Sequence, residues 1–212
     1  MNFRYVAENP TGVVTDCLVC FVPQLEKIAD PVLKQLDQGT RGAVSHLLKT
    51  GEFAAREGQS ALLLTPEGFK AGRVVLIGLG DQKKIAPDTY RRAAGRAGTM
   101  SALTSAESVA LLIPAKEKDI FQAVIEGYLL AGYRQREFKS GADAVDKTRT
   151  KNLVFVAPEK RLLKNIEAAV QRGRIIAEGQ TLVRRLAGTP STYLTPVLYT
   201  TQAQALAKEH GL

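Results

Sequence analysis

Short apolar runs alternate along this chain with stretches in which apolar residues recur at helical spacing, and this alternation constrains the fold most. It is typical of α/β proteins, in which helices cover both faces of a sheet. The early strands lack an obvious intervening helix, so the sheet is predicted to be mixed. The prediction is a three-layer α/β/α sandwich. Strands are expected at 2–6, 16–22, 59–65, 73–79, 108–113 and 153–156, and helices at 31–48 (interrupted near 39–42), 87–100, 119–133, 159–186 and from 196.

The composition excludes several classes of protein. Of 212 residues, 45% are hydrophobic and 24% charged, which is an ordinary globular balance. The longest apolar runs, such as 61–64, fall far short of the roughly 20 residues that a membrane span needs. Residues 1–20 lack the basic start and unbroken apolar stretch of a signal peptide. A cytoplasmic protein with no membrane partner is therefore predicted.

Positive charge is concentrated in the second part of the chain. Residues 134–212 carry 14 basic and 7 acidic side chains, out of a net charge of +8 for the whole chain. This asymmetry indicates either a solvated or partner-balanced surface, or an anionic partner such as DNA. The possible DNA contacts are the basic residues around Gly141, which lack the interleaved aromatics of a single-strand binder. They are Arg134, Arg136, Lys139, Lys147, Arg149 and Lys151.

Two short motifs resemble known sites without completing them. Cys17 and Cys20 form a C-x-x-C pair, but they lie in a predicted strand, where residues three apart point to opposite faces. They are interpreted as two buried small residues, since no further cysteine exists for zinc. Gly78-Leu79-Gly80 follows a strand as a dinucleotide-binding turn would, but the third glycine position holds Lys83. A plain turn is the alternative.

No catalytic constellation can be recognised from the residues alone. His46 and His210 are isolated, and Ser191 follows a proline without an evident base. Neither H-E-x-x-H nor G-x-S-x-G occurs. The chain is therefore interpreted as a fragment or a binding module.

Several stretches, in this order, resemble the N-terminal part of the leucyl aminopeptidases, also called cytosol aminopeptidases. The strongest is the junction R-R-L-A-G-T-P-S-T-Y-L-T-P, which leads into the last helix. The resemblance covers about residues 60–212 and depends on the order and spacing of these stretches. The stretches are Arg73–Asp81, Tyr90–Gly95, Ile125–Tyr133, Phe138–Lys139 and Arg184–Pro196.

This resemblance implies a macro-domain-like N-terminal domain at 1–158, a connecting helix at 159–189 and the start of a catalytic domain at 190–212. In the family, the catalytic domain binds two divalent metals, zinc or manganese, through signatures like V-G-K-G-I-T-F-D-S-G-G and N-T-D-A-E-G-R. Neither signature occurs here, so no catalytic or metal-binding residue carries over, and the chain alone is expected to be inactive. The implied partners are the catalytic domain and the other subunits of a hexamer.

Two alternatives remain open. The basic second half could make the chain a DNA-binding or regulatory module. A free-standing macro-like nucleotide binder would need a phosphate loop, which the glycine pair alone does not provide. The last helix is expected to place Leu198, Ala205 and Leu206 on an apolar side that packs on its own domain or, preferably, on a neighbouring copy.

Overall fold

A computed structural model describes residues 1–103, 106–140 and 150–211 of the chain. It contains a six-stranded sheet in the order β1-β6-β5-β2-β4-β3. All neighbouring strands pair in parallel except β3, which is antiparallel to β4, so the predicted mixed sheet is confirmed. The strands are β1 Asn2–Val6, β2 Cys17–Gln24, β3 Ser60–Leu64, β4 Arg73–Asp81, β5 Ser108–Leu112 and β6 Asn152–Val156.

The described residues contain six α-helices. They are α1 Pro31–Gly39, α2 Ala43–Thr50, α3 Pro87–Leu103, α4 Lys118–Gly132, α5 Leu163–Gly188 and α6 Pro196–His210. The break between α1 and α2 and the starts at Pro31 and Pro196 agree with the sequence prediction. The long helix starts later than predicted, because residues Lys160–Leu162 form a separate 3₁₀ turn. None of the described helices is long and apolar enough to cross a bilayer.

The sheet separates two hydrophobic cores. One core joins the sheet to α3, α4 and the first part of α5. The other lies on the opposite face, where Leu33, Leu36 and Val44 come from α1 and α2. Cys17 belongs to the first core and Cys20 to the second, as the alternation of side chains along β2 predicts. The chain is thus a three-layer α/β/α sandwich, as predicted.

Local chemistry explains where the helices begin. The Asp30 carboxylate accepts hydrogen bonds from the backbone amides of Val32 and Leu33, at 2.9 and 3.0 Å. Pro31 occupies the first helical position, where its missing N–H costs nothing. Thr195 caps α6 in the same way, with its hydroxyl accepting from the Leu198 amide at 3.4 Å. These caps fix the entry points of α1 and α6.

Candidate functional site

Helices α3 and α4 pack backbone against backbone. A Cβ atom added to Gly127 would lie 1.9 Å from the carbonyl oxygen of Arg91, and one on Gly98 would lie 2.9 Å from that of Tyr128. Only glycine permits this approach, because any side chain would push the helices apart. Two of the stretches that carry the family resemblance, 90–95 and 125–133, therefore meet at this contact.

A buried ion pair joins the same two helices. The side chain of Glu126 is 4% exposed, and its Oε2 accepts a hydrogen bond from Nε of Arg91 at 2.9 Å. Its Oε1 accepts from the Gln122 amide at 2.8 Å, while Asp88 pairs with the other side of Arg91 at 2.8 Å. Both carboxylate oxygens are therefore engaged in structural contacts, as a buried acid requires.

The glycine pair on β4 accommodates a neighbouring segment of the chain. The amide of Gly78 donates to the Gln59 carbonyl at 2.8 Å, and that of Gly80 donates to the Ala55 carbonyl at 2.9 Å. A Cβ on Gly78 would lie 2.1 Å from the Arg56 carbonyl oxygen. Residues 55–59 thus accept the hydrogen bonds of both amides and fill the space beside Gly78. These two glycines therefore do not offer free backbone amides to bind a phosphate. Gly80 lies within the strand at φ +78°, and the turn follows it.

The cysteines have the environment of core residues. Both side chains are fully buried. Burial raises the pKa of the Cys17 thiol to about 11, and burial also raises the pKa of Cys20. A thiol with a raised pKa is a poor nucleophile and metal ligand, since the thiolate is the reactive form. The interpretation of both as small buried residues agrees with this geometry.

The isolated polar candidates stay apart in the fold. His46 lies exposed on α2, His210 ends α6, and Ser191 lies exposed in the turn after Pro190. Across residues 1–103, 106–140 and 150–211, no three His, Cys, Asp or Glu side chains come close enough to hold a metal ion. The described residues therefore do not offer the donor set of a two-metal centre, and we derive no metal-dependent step from them.

Two of the predicted DNA contacts are engaged within the domain. Nη1 of Arg134 donates to the carbonyls of Ala131 and Tyr133, at 2.8 and 2.9 Å, at the end of α4. Lys151 pairs with Glu107 at 3.3 Å, and both side chains are exposed. Lys139 is exposed, and Arg136 lies in the same loop. Lys147 and Arg149 lie outside the described residues. DNA contact stays a prediction that these contacts do not support.

That prediction has a direct test. If these side chains bind phosphates, the affinity for duplex DNA will fall steeply with salt, because each neutralised phosphate releases counterions. Changing Arg134, Arg136 and Lys139 together to glutamate will then abolish most binding in a fluorescence-anisotropy titration at low salt. Equal binding by the triple variant and the unchanged chain would show that the basic residues form only a solvated face.

Beyond Ala177, the chain leaves the core. Ala177 is the last buried residue of α5, and among residues 178–211 none is buried. Large apolar side chains are nevertheless exposed here, on the outer part of α5, in the following turn and at the start of α6. They are Val183, Tyr193, Val197, Leu198 and Tyr199, and Val197 is 74% exposed. We call these residues the junction surface.

The predicted apolar side of α6 is only partly covered. Leu206 is half-buried in a cleft that also contains Leu186 and Phe138. Leu198 is 45% exposed and Ala205 is exposed as well. The helix therefore touches its own domain at one edge and leaves the rest of its apolar residues open. Docking on a neighbouring copy stays a prediction.

An open groove of about 650 Å³ adjoins the junction surface, between the start of β1 and helices α4 and α5. Its walls combine aromatic and apolar side chains, such as Phe3, Tyr128 and Leu182, with charged ones from α5. Arg174 lies 6.0 Å from the centre of the Phe3 ring and 3.1 Å from the Glu178 carboxylate. The groove thus extends the open apolar surface of α5 toward the sheet.

The chain is similar in sequence to known proteins. Residues 19–142 match the description "Cytosol aminopeptidase family, N-terminal domain". A probable cytosol aminopeptidase of Cupriavidus pinatubonensis is 36% identical over 93% of this chain and 41% of its own length. That of Nitrosococcus oceani is 30% identical over 99% of this chain and 43% of its own length. The chain therefore spans less than half the length of these relatives.

Solved structures agree with the sequence relatives. A tomato leucine aminopeptidase mutant superposes on the whole chain with a TM-score of 0.82 at 19% identity, over 43% of its own length, which shows a shared fold. The bottromycin maturation enzyme BotP covers 94% of this chain and 38% of its own, with a TM-score of 0.68 and 25% identity. The match over residues 19–142 shows that the chain belongs to the cytosol aminopeptidase family and carries its N-terminal domain.

Proposed function

We propose that this chain is the non-catalytic N-terminal part of a metal-dependent leucyl aminopeptidase, an enzyme that removes N-terminal residues from peptides. The observation that carries the proposal is the match of residues 19–142 to the N-terminal domain of this family. Relatives more than twice as long, described as probable cytosol aminopeptidases, support it. Their description also supports a cytoplasmic location.

The junction surface supports a role in holding a second domain. Apolar side chains as exposed as Val183 and Val197, at 64% and 74%, gain stability when another surface covers them. In the proposed enzyme, the catalytic domain covers them, and further subunits of a homo-oligomer are the other proposed partners. The two metals, zinc or manganese, would bind in that second domain. BotP has been solved in complex with Mn.

The burial pattern supports a revised domain division. The sequence prediction ends the N-terminal domain at residue 158 and treats 159–189 as a connecting helix. In α5, however, Ile166, Ala169 and Val170 belong to the core that joins the helix to the sheet and α4, and Ala177 is buried as well. We therefore assign α5 up to Ala177 to the N-terminal domain, and only its outer part to the connection.

The isolated chain is expected to release no leucine from leucyl-p-nitroanilide, with or without added Mn²⁺ or Zn²⁺. The physical reason is that hydrolysis by this family's chemistry needs two bridged metals to polarise the carbonyl and activate water. The full-length Cupriavidus pinatubonensis relative, assayed in parallel, is the positive control. Chelator-sensitive turnover that follows the chain through every purification step would refute the non-catalytic role.

A further inference from the structure

The segment that follows α4 contacts the end of α5 and the turn before α6. Just before this segment, Nη1 of Arg184 on α5 donates to the carbonyl of Leu130 in the last turn of α4, at 3.0 Å. A Cβ on Gly188 would lie 3.3 Å from Cδ of Gln135, so the Gln135 side chain packs directly on the last turn of α5. The rings of Phe138 and Tyr193 are tilted by 35°, with their centres 4.9 Å apart. We call residues 133–139 the brace.

The brace contacts the part of the chain that lies beyond Ala177, the last buried residue of α5. No residue in 178–211 is buried, so the direction of α6 cannot come from burial in the domain. An isolated helix of this length is marginally stable in water and has no preferred position without contacts. The aromatic pair holds the turn itself, since Tyr193 lies two residues before the α6 cap. Further along, half-buried Leu206 gives α6 an edge contact in the cleft that Phe138 and Leu186 also line. Aromatic pairs at this spacing favour a defined relative orientation.

We propose that Gln135 and Phe138 are positioning residues, which fix the direction in which the polypeptide leaves the domain. Phe138 holds the turn through Tyr193, and Gln135 holds the end of α5 at Gly188. The geometry of α6 relative to the sheet is then set by the segment after α4. The consequence for catalysis rests on the proposed function, because α6 would begin the catalytic domain, which would take its placement from this helix.

Distances between spin labels test the brace on the chain itself. Lys118→Cys and Gln204→Cys place labels on the exposed start of α4 and on exposed α6, while Cys17 and Cys20 are buried and escape labelling. The doubly labelled chain should give a narrow distribution of label-to-label distances in pulsed electron–electron double resonance. Phe138→Ala should at least double the width of this distance distribution. Tyr193→Ala removes the other ring of the pair and should broaden the distribution equally.

Three further measurements separate positioning from general stability. Phe138→Tyr keeps the ring and should restore the narrow distribution. Val183→Ala removes another exposed apolar side chain, 64% exposed and outside the brace, and should leave the distribution narrow. The melting temperature should stay within a few degrees, since Phe138 is 41% exposed. A distribution as narrow in Phe138→Ala as in the unchanged chain, or equal broadening by Val183→Ala, would overturn the proposal. This result does not depend on any activity, so it stands apart from the proposed function.

Discussion

Replacing Gly127 by alanine should cost the chain more than about 3 kcal/mol of stability, at the upper end of what overpacking a core costs. The added Cβ would lie 1.9 Å from the Arg91 carbonyl oxygen and 2.7 Å from its carbonyl carbon. Both atoms are backbone, so no side-chain rotation can relieve the clash, and α3 and α4 must separate. Separation would also stretch the Glu126–Arg91 pair. For a chain of this size, the melting temperature should fall by roughly 6–12 °C.

Gly179 provides a matched control for this prediction. It lies inside helix α5, and a Cβ added there meets nothing within 4 Å. Because glycine is a poor helix former, Gly179→Ala should stabilise the chain by about 0.5–1 kcal/mol. Urea unfolding followed by circular dichroism measures both variants. Similar midpoints for Gly127→Ala and the unchanged chain would show that the helices separate at little cost and that the close contact does not support the fold.

The elements that the sequence predicted well are those with local signals. The starts of α1 and α6 at Pro31 and Pro196 and the break near 39–42 depend on residues within a few positions of them. The alternation of side chains along a strand also predicted that Cys17 and Cys20 lie on opposite faces of β2. In each case, the sequence pattern and the structure depend on the same interactions between residues that are close in sequence. A single sequence was therefore enough to predict these features.

Contacts between distant segments could not be predicted in this way. Gly78 and Gly80 look like part of a nucleotide loop in sequence, because only the fold brings residues 55–59 against them. Phe138 and Tyr193 both lie in stretches that carry the family resemblance, but no spacing rule pairs residues 55 positions apart. Periodicity along α5 likewise continues past Ala177, although burial stops there, because the pattern cannot show what covers a helix.

Truncation after residue 158 should prevent the chain from folding, whereas truncation after Gly179 should leave it folded. The shorter form loses the buried side chains Leu162, Ile166 and Val170, which are at most 9% exposed. At about 1.5–3 kcal/mol for each buried side chain, their loss removes about 5–9 kcal/mol, comparable to the whole stability of a typical domain, about 5–15 kcal/mol. It also uncovers α4, against which Gly173 packs so closely that a Cβ would lie 2.5 Å from Ile125.

The longer form keeps every buried residue of α5 and loses only the junction and α6, which contain none. Its free energy of unfolding should therefore stay within about 2 kcal/mol of the full chain, since lost surface contacts of this kind are individually worth about 1 kcal/mol or less. Urea unfolding by circular dichroism compares the two forms directly. Cooperative unfolding of the 1–158 form at the midpoint of the full chain would place the domain boundary before α5, and loss of folding in the 1–179 form would place it beyond Ala177.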